Sequence, residues 1–337
     1  MVKVSIICLI YRSTKLADWV WDSIQKYTPM VRRGEAEFIF VANDPTDDLL
    51  SHLQRKKYPF VVHRNDKISE QDLFKKGYAG PEYISRVYKG YNQGILNAKG
   101  ERIVLINSDN YFSDDWLENL LKYSTFKNIV CSQIVEPGHE KHHFFPTALR
   151  ADFGRTPDTF RADDFVAYAL QHKKTGLKEG GAYMPCLMWR ELAYYVGLYP
   201  EGNLAGLDFN DVIRYGDEAF YDKMARLGVR HVTALDSLVY HLKEGEKDEV
   251  GTDKRNYKKN LEIQSLPKYS SLPTVSLKEP DVLLMPDSLY PFSTPVEQMV
   301  SPQKSNKWQY RLALLGIKLI PIAKYRRRYR KQIKSKM

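Results

Sequence analysis

Apolar positions in the first third of the chain alternate between two periods. Val4 to Tyr11 is a near-continuous apolar run rich in Ile, bounded by Arg12-Ser13-Thr14. Such a run predicts a strand buried on both faces, as in a parallel sheet. Thr14 to Tyr27 then carries Leu16, Trp19, Val20, Ile24 and Tyr27 at helical spacing, with Ser13 or Thr14 placed to cap it. Phe38 to Ala42 and Phe60 to Val62 repeat the strand signature, the first ending in the turn-forming Asn43-Asp44-Pro45-Thr46. Pro81 to Ala98 returns to the helical period through Ile84, Val87, Tyr88, Tyr91 and Ile95, with Gly100 as its stop. Arg102 to Ile106 predicts a fourth buried strand. After Asn107-Ser108-Asp109-Asn110 a helix is expected, capped by Ser113 with Asp114 and Asp115 in its first turn.

Strand and helix in alternation predict a mostly parallel α/β sheet with flanking crossover helices, Rossmann-like in layout. Ligands of such sheets bind beyond the carboxyl ends of the strands. The residues at those ends are Tyr11 and Arg12, Asn43 and Asp44, His63 and Arg64, then Asn107 and Asp109. They are polar or aromatic, as a nucleotide site requires, although Asn and Asp also occupy turns for purely local reasons.

The second half reads as mixed α+β. Asn128 to Val135 predicts a strand, and Pro137 to Thr159 a long irregular loop. Phe165 to His172 predicts a short helix, Gly181 to Trp189 a strand, Arg190 to Val196 a helix, Gly216 to Leu227 a helix and Val229 to Thr233 a strand. Beyond Leu242 the chain turns highly charged, then proline-rich between Pro267 and Pro302, which predicts an extended connector. The boundaries expected are a globular body over 1–245, with a nucleotide-binding half over 1–110 and an acceptor half over 111–245. A connector over 246–303 and a tail over 304–337 follow.

Charge changes the picture of the tail. The 337-residue chain carries 51 Lys plus Arg against 41 Asp plus Glu, a formal +10. From Lys304 to Met337 there are 12 basic residues and no acidic ones, which leaves residues 1–303 with 39 basic against 41 acidic. The body is close to neutral, so a nucleic-acid partner is not expected. In the tail, Trp308, Tyr310 and a run of Leu and Ile are interleaved with Arg311, Lys318 and Lys324, and Tyr325-Arg326-Arg327-Arg328 follows. That stretch is too short to span a bilayer and is interrupted by Pro321. It fits a helix lying in an anionic membrane surface, with Trp308 as an interfacial anchor and Arg311, Lys318, Arg326, Arg327 and Arg328 as its basic contacts. Nucleic-acid binding by the tail or a plain solvated helix are the alternatives. The three cysteines, Cys8, Cys131 and Cys186, sit in apolar stretches without CxxC spacing and predict packed free thiols rather than a disulfide framework. The N-terminus enters the first strand without a signal-peptide layout, so the expected location is cytoplasmic, peripheral on the cytoplasmic face of a membrane.

Three patterns carry candidate chemistry. Asn107-Ser108-Asp109 follows a buried strand, and an Asn-x-Asp pair there can bind a divalent cation and a ribose, Mg²⁺ or Mn²⁺ suiting its hard oxygens; a helix-entry turn is the alternative. Gly216-Asp217-Glu218 opens a helix; its carboxylates are favoured there by the helix dipole and could also supply a general base. His241 ends the apolar Val239-Tyr240-His241-Leu242, where a metal or phosphate contact is open to it. His139-Glu140-Lys141-His142-His143 satisfies the HExxH zinc pattern, but Pro137, Gly138 and Pro146 around it oppose the helix that this chemistry needs.

Taken in order, Val4 to Tyr11, Asn43-Asp44-Pro45-Thr46, Asn92-Gln93-Gly94-Ile95-Leu96-Asn97-Ala98-Lys99-Gly100, Asn107-Ser108-Asp109, Gly216-Asp217-Glu218 and His241 resemble the family 2 glycosyltransferases with the GT-A fold, over about residues 2–245. The resemblance implies sugar transfer with inversion from a nucleotide-sugar donor, UDP-sugar favoured, to a glycan or lipid-linked acceptor. By position it implies that Tyr11, Asn43, Asp44, Asn92, Asn107, Ser108 and Asp109 hold the donor, that Asp109 and His241 ligate Mn²⁺ or Mg²⁺, and that Asp217 or Glu218 is the base. Three features depart from the family pattern: Asn107 stands at the first position of its DxD motif, Tyr91 stands where an Arg is usual, and the order Asp217-Glu218 leaves the base open, motif identity favouring Glu218 and spacing to Gly228 favouring Asp217. A polysaccharide-building enzyme is the expectation. A sugar-nucleotide nucleotidyltransferase is a weaker one, since no glycine-rich triphosphate loop follows the first strand. A glycan-binding scaffold on a decayed transferase fold is a third.

Overall fold

A computed structural model describes residues 2–65, 81–138, 147–200, 204–205, 212–214 and 216–242, all within the first of the chain's two units, Met1–Val282. The HExxH stretch, the charged and proline-rich segments and the basic tail, including Trp308, Arg311, Lys318, Arg326, Arg327 and Arg328, lie outside the described residues.

The first four strands form as expected. β1 (Val4–Ile10) pairs in parallel with β2 (Ala36–Asn43) on one side and β4 (Arg102–Asn107) on the other, and β2 pairs in parallel with β3 (Phe60–His63). Three helices on these crossovers show why their sequences fold locally. In α1 (Thr14–Tyr27) the Ser13 side chain accepts from the Leu16 amide, and the stripe Leu16, Val20, Ile24 and Tyr27 is buried. Helix α2 (Pro29–Arg32) is a single turn started by Pro29. In α3 (Asp47–Lys56) Thr46 caps the Leu49 amide, and Asp47 and Asp48 lie in the first turn.

Helix α4 (Pro81–Asn97) lies over β1 and β2, and two small residues set how close it comes. A Cβ at Gly94 would stand 2.3 Å from Ile7 Cγ2 and 2.9 Å from Val41 Cγ2. One at Gly100, past the helix, would stand 2.6 Å from the Ser5 nitrogen. The glycines of the Asn92-to-Gly100 motif thus serve helix–sheet packing.

The sheet continues through strands that the local pattern placed less well. β5 (Asn110–Phe112) occupies part of the stretch expected to lead directly into a helix. Helix α5 (Trp116–Lys122) is preceded by Asp115 in the left-handed region, φ 58°, and not by a capping Ser113. The Ser113 hydroxyl donates instead to the carbonyl of Leu238, 2.8 Å away on another strand, and this long-range partner removes it from the cap. β6 (Asn128–Glu136) follows, and the expected irregular loop after it adds a short strand β7 (Leu149–Arg150) to its edge and a 3₁₀ turn at Pro157–Thr159. Next come α6 (Ala162–His172) and β8 (Leu177–Glu179). β9 (Cys186–Trp189) is shorter than the strand expected over Gly181 to Trp189; Gly180 and Gly181, ahead of it, take positive φ. It runs straight into α7 (Arg190–Tyr195).

A small antiparallel pair, β10 (Leu204–Ala205) with β11 (Val212–Arg214), precedes α8 (Gly216–Arg226). The last strand, β12 (Arg230–His241), is far longer than the Val229-to-Thr233 segment expected. It keeps pairing with β6 by absorbing an irregularity between Ala234 and Leu238. Across the main sheet the order is β3-β2-β1-β4-β9-β6-β12-β5, with β7 on β6 and β8 on β12. β9, β5 and β8 run antiparallel to their neighbours, and the other pairings are parallel. The mostly parallel α/β layout with flanking helices is the one the sequence predicted. Cores lie on both faces: Ile6, Phe40, Trp116 and Tyr240 on one, Ile7, Leu105, Cys186 and Phe220 on the other. All three cysteines are free and buried. Among the described residues no helix is long and apolar enough to cross a membrane.

Candidate functional site

The carboxyl ends of β1 to β4 carry the predicted polar residues, and the structure joins most of them into networks. At the end of β2, Asp44 takes φ 50°, a left-handed turn that Asp tolerates. Its backbone N–H donates to His63 O at 2.8 Å, which ties it to β3. Its carboxylate accepts from the Asn65 N–H and the Asn65 side-chain amide, both at 2.8 Å, and from Arg86 Nη1 at 2.6 Å. Asn43 is buried; its Oδ1 accepts from Asn65 Nδ2 at 3.0 Å and its Nδ2 donates to Arg86 O on α4 at 3.3 Å. Asn65 and Arg86 belong to this cradle and were not singled out from sequence. Arg86 lies on α4, and only the helix's docking onto β2 brings it to Asp44. Tyr11 follows β1 with the Arg12 guanidinium over its ring, 4.6 Å from the centroid.

At the end of β4 two of the departures from the family pattern, Tyr91 and Asn107, meet each other. The Tyr91 hydroxyl lies 3.0 Å from Asn107 Oδ1 and 3.1 Å from Ile106 O. The Asn107 backbone N–H donates to Asn110 Oδ1 at 2.9 Å, closing the turn through Ser108 and Asp109. Tyr91 also packs near Tyr199, ring centroids 6.0 Å apart, and Tyr199 stacks on Tyr88 at 5.3 Å and 7°. The Tyr88 hydroxyl accepts from the backbone N–H of Asp217 at 3.2 Å. A wall of three tyrosines therefore runs from Asn107 to the start of α8. Asn92 serves this wall: its Nδ2 donates to Tyr199 O at 3.0 Å and its Oδ1 accepts from Tyr199 N at 2.9 Å. Both ends of its amide are engaged in fixing a protein backbone.

Asp217 opens α8, where its Oδ1 accepts from the Glu218 N–H at 2.8 Å. Burial raises its carboxyl to about 6; the Glu218 charge adds to the shift, while hydrogen bonds from the helix's first amides oppose it. Glu218 is half-buried beside it.

The third grouping joins β12, the end of β6 and the turn between β4 and β5. β12 pairs with β5 so that His241 faces Asn110, and Leu242 N–H donates to Asp109 O at 3.1 Å. His241 Nε2 lies 3.2 Å from Asp109 Oδ2, and its Nδ1 lies 3.3 Å from Glu136 Oε2 at the end of β6. Asp109 is 7% exposed and Glu136 1%. Burial alone would lower the His241 pKa; the charges and hydrogen bonds of Asp109 and Glu136 outweigh it and push the imidazole up to about 9. Glu136 was missed from sequence. Its one signal was an acid closing an otherwise largely apolar strand, Asn128 to Val135.

Among the described residues no three metal-ligating side chains form a ready cage. Asp109 and His241 nonetheless fit a hard divalent cation that takes its remaining ligands from water and phosphate. Neighbouring ligands of an octahedral ion with bonds of about 2.1 Å stand about 3.0 Å apart, and Oδ2 and Nε2 here are 3.2 Å apart.

Residues 82–178 match the glycosyl transferase family 2 model. That stretch contains the Asn92-to-Gly100 and Asn107-Ser108-Asp109 motifs and Glu136. No curated protein matches the chain. Among the solved structures similar to the chain, three illustrate the likeness. One is GalNAc-T7 with UDP, GalNAc and Mn²⁺, 15% identical over 71% of this chain and 44% of that one, TM-score 0.46. A second is the mannosyltransferase PcManGT of Pyrobaculum calidifontis with GDP-Man and Mn²⁺, 18% identical over 76% and 58%, TM-score 0.43. The third is S. aureus TarS 1-349, 15% identical over 74% and 63%, TM-score 0.43. The chain spans less than two-thirds of each.

Proposed function

We propose that this chain, whose residues 82–178 match the glycosyl transferase family 2 model, is a glycosyltransferase that moves a sugar from a nucleotide-sugar donor, UDP-sugar favoured, to a hydroxyl of a glycan or lipid-linked acceptor, with inversion and with a divalent cation. The observation that carries the metal-dependent part is the meeting at 3.2 Å of His241 on β12 and Asp109 in the turn before β5. Asn43 and Asp44, held by Asn65 and Arg86, form the nucleoside end with Tyr11. Asn107 and Ser108 would contact the donor beside Asp109. Asp109 and His241 would hold Mn²⁺ or Mg²⁺, which when bound stabilises negative charge on the departing diphosphate.

The protein's own residues supply the rest. A carboxylate at the start of α8 accepts the acceptor's hydroxyl proton as the oxygen attacks the anomeric carbon. The bond from that carbon to the diphosphate oxygen breaks, and its electron pair leaves with the nucleoside diphosphate. Asp217 is favoured over Glu218 because burial has moved it to about 6, where a base is largely free yet still basic. The Tyr88–Tyr199–Tyr91 wall links that base to Asn107. The basic tail over 304–337 would hold the enzyme at an anionic membrane on the cytoplasmic face, near a polysaccharide precursor.

The test is a thermal-shift screen of UDP-, GDP- and dTDP-sugars with and without Mn²⁺, followed by product analysis. One donor class should raise Tm only with Mn²⁺ present, and Asp109→Ala should lose that shift together with donor turnover. No metal-dependent shift with any donor would favour the scaffold reading. Wild-type turnover in the Asp109 variant would remove the metal assignment.

A further inference from the structure

His241 is flanked by strands on both sides. β5 lies on one side, with Asn110 opposite His241, and β6 on the other, where Tyr240 faces Val135. One residue further, Glu136 therefore comes level with His241. The backbones of the two outer residues are fixed: Asp109 O accepts from Leu242 N–H, and Glu136 O accepts from Ala151 N–H, each at 3.1 Å. Asp109, His241 and Glu136 thus form a carboxylate–imidazole–carboxylate row from the turn between β4 and β5, across β12, to the end of β6, 3.2 Å and 3.3 Å between partners.

We infer that Glu136 is a positioning residue, holding the Nδ1–H of His241 so that Nε2 presents its lone pair to a divalent cation shared with Asp109. The inference rests on the metal-dependent reading above and deepens it. An imidazole can ligate a metal only through a nitrogen without a proton, and the partner of the other nitrogen decides which one that is. Glu136, an ionised acceptor on Nδ1, selects the tautomer with Nε2 bare. It also fixes the plane of the ring, since both nitrogens are then anchored along the row.

The experiment measures Mn²⁺ affinity of the full chain by titration of the free-ion electron paramagnetic signal, with UDP present. Affinity for UDP alone is measured in parallel. Glu136→Ala should weaken Mn²⁺ by roughly 10- to 100-fold and leave metal-free UDP affinity unchanged. Glu136→Gln, whose amide oxygen still accepts from Nδ1–H, should recover most of the loss. Nitrogen-15 shifts of the wild-type imidazole with diamagnetic Mg²⁺ and UDP should show His241 protonated at Nδ1 and not at Nε2. That last measurement does not depend on how well any variant folds. A folded Glu136→Ala with wild-type Mn²⁺ affinity, or a wild-type His241 protonated at Nε2 with metal bound, overturns the role of Glu136. A wild-type chain that binds no Mn²⁺ with UDP overturns the metal reading itself, and the Glu136 role with it.

Discussion

His241 Nε2 lies 3.2 Å from Asp109 Oδ2 because β12 pairs antiparallel with β5, setting His241 opposite Asn110. In the metal-free protein this pairing, with Glu136 on the other nitrogen, holds the imidazolium and raises its pKa from 6.5 to about 9. A histidine whose pKa is higher folded than unfolded stabilises the fold while it is charged in both states. The contribution is complete below pH 6.5 and is lost as pH rises through 9. Its size at most is about 3 kcal/mol, from about 1.4 kcal/mol per unit. Urea unfolding of chelator-treated protein should show the midpoint falling between pH 6.5 and 9. His241→Asn should flatten that fall. An equal fall in the variant would assign the pH dependence to other groups.

The same pairing shows what could be read from sequence and what could not. The β1-to-β4 half was legible because its signals are local: a buried strand is a run of apolar residues, and α1 and α3 announce themselves through Ser13 and Thr46. Asn43, Asp44, Asn107 and Asp109 were legible as strand ends. The misplaced features depend on partners far along the chain. Ser113 has the composition of a cap, yet its hydroxyl goes to Leu238. β12 extends to His241 because β6 continues beside it past an irregularity and β5 pairs with its last three residues. Glu136 and Arg86 acquire a role only when a neighbouring strand or helix delivers His241 or Asp44. Tyr91 and Asn107 each read as an isolated departure; in the fold they touch, and a neutral hydroxyl–amide contact occupies the place.

Two glycines of the Asn92-to-Gly100 motif should respond differently to the same substitution. At Gly94 an added methyl meets Ile7 Cγ2 and Val41 Cγ2. Both are side-chain atoms, but they sit on β-branched residues with restricted χ1, so the helix itself must shift. Gly94→Ala should cost ~1–3 kcal/mol. At Gly100 the methyl meets the backbone of Val4 and Ser5 at 2.6 Å, which no rotamer can relieve. Gly100 also donates its N–H to Ser5 Oγ at 2.8 Å, a bond that the shift would strain. Gly100→Ala should therefore be the more destabilising of the two in urea unfolding. The reverse order would mean that β1 yields more easily than the contact between α4 and the sheet.

The tail carries 12 basic residues and no acidic ones, whereas the rest of the chain is near neutral. Each basic residue close to an anionic surface contributes ~1 kcal/mol. A chain ending at Pro302 should lose sedimentation with phosphatidylserine-containing vesicles and keep hydrolysis of a soluble donor. Binding by the full chain should weaken with salt, as screening requires. If the shortened chain still sediments with those vesicles, the membrane contact lies in the body.

Asp217 and Glu218 are adjacent at the start of α8, and the two should separate cleanly in kinetics and stability. Burial raises Asp217 to about 6, so kcat/KM should fall on the acid side with a midpoint near that value. Asp217→Asn should remove this limb and lower the rate by roughly 10²- to 10⁴-fold. Glu218→Gln should keep the limb with a smaller loss. Stability moves in the opposite sense. A carboxyl whose pKa is higher folded than unfolded costs stability above the folded value, and that cost is relieved as pH falls from about 6 toward 3.8. At pH 7.5 Asp217→Asn removes the buried charge, so the variant should unfold at an equal or higher urea concentration than the parent while losing activity. A side chain kept for the fold would give the opposite pairing, lower stability with activity falling in step. Two small rate losses would place the base outside this pair.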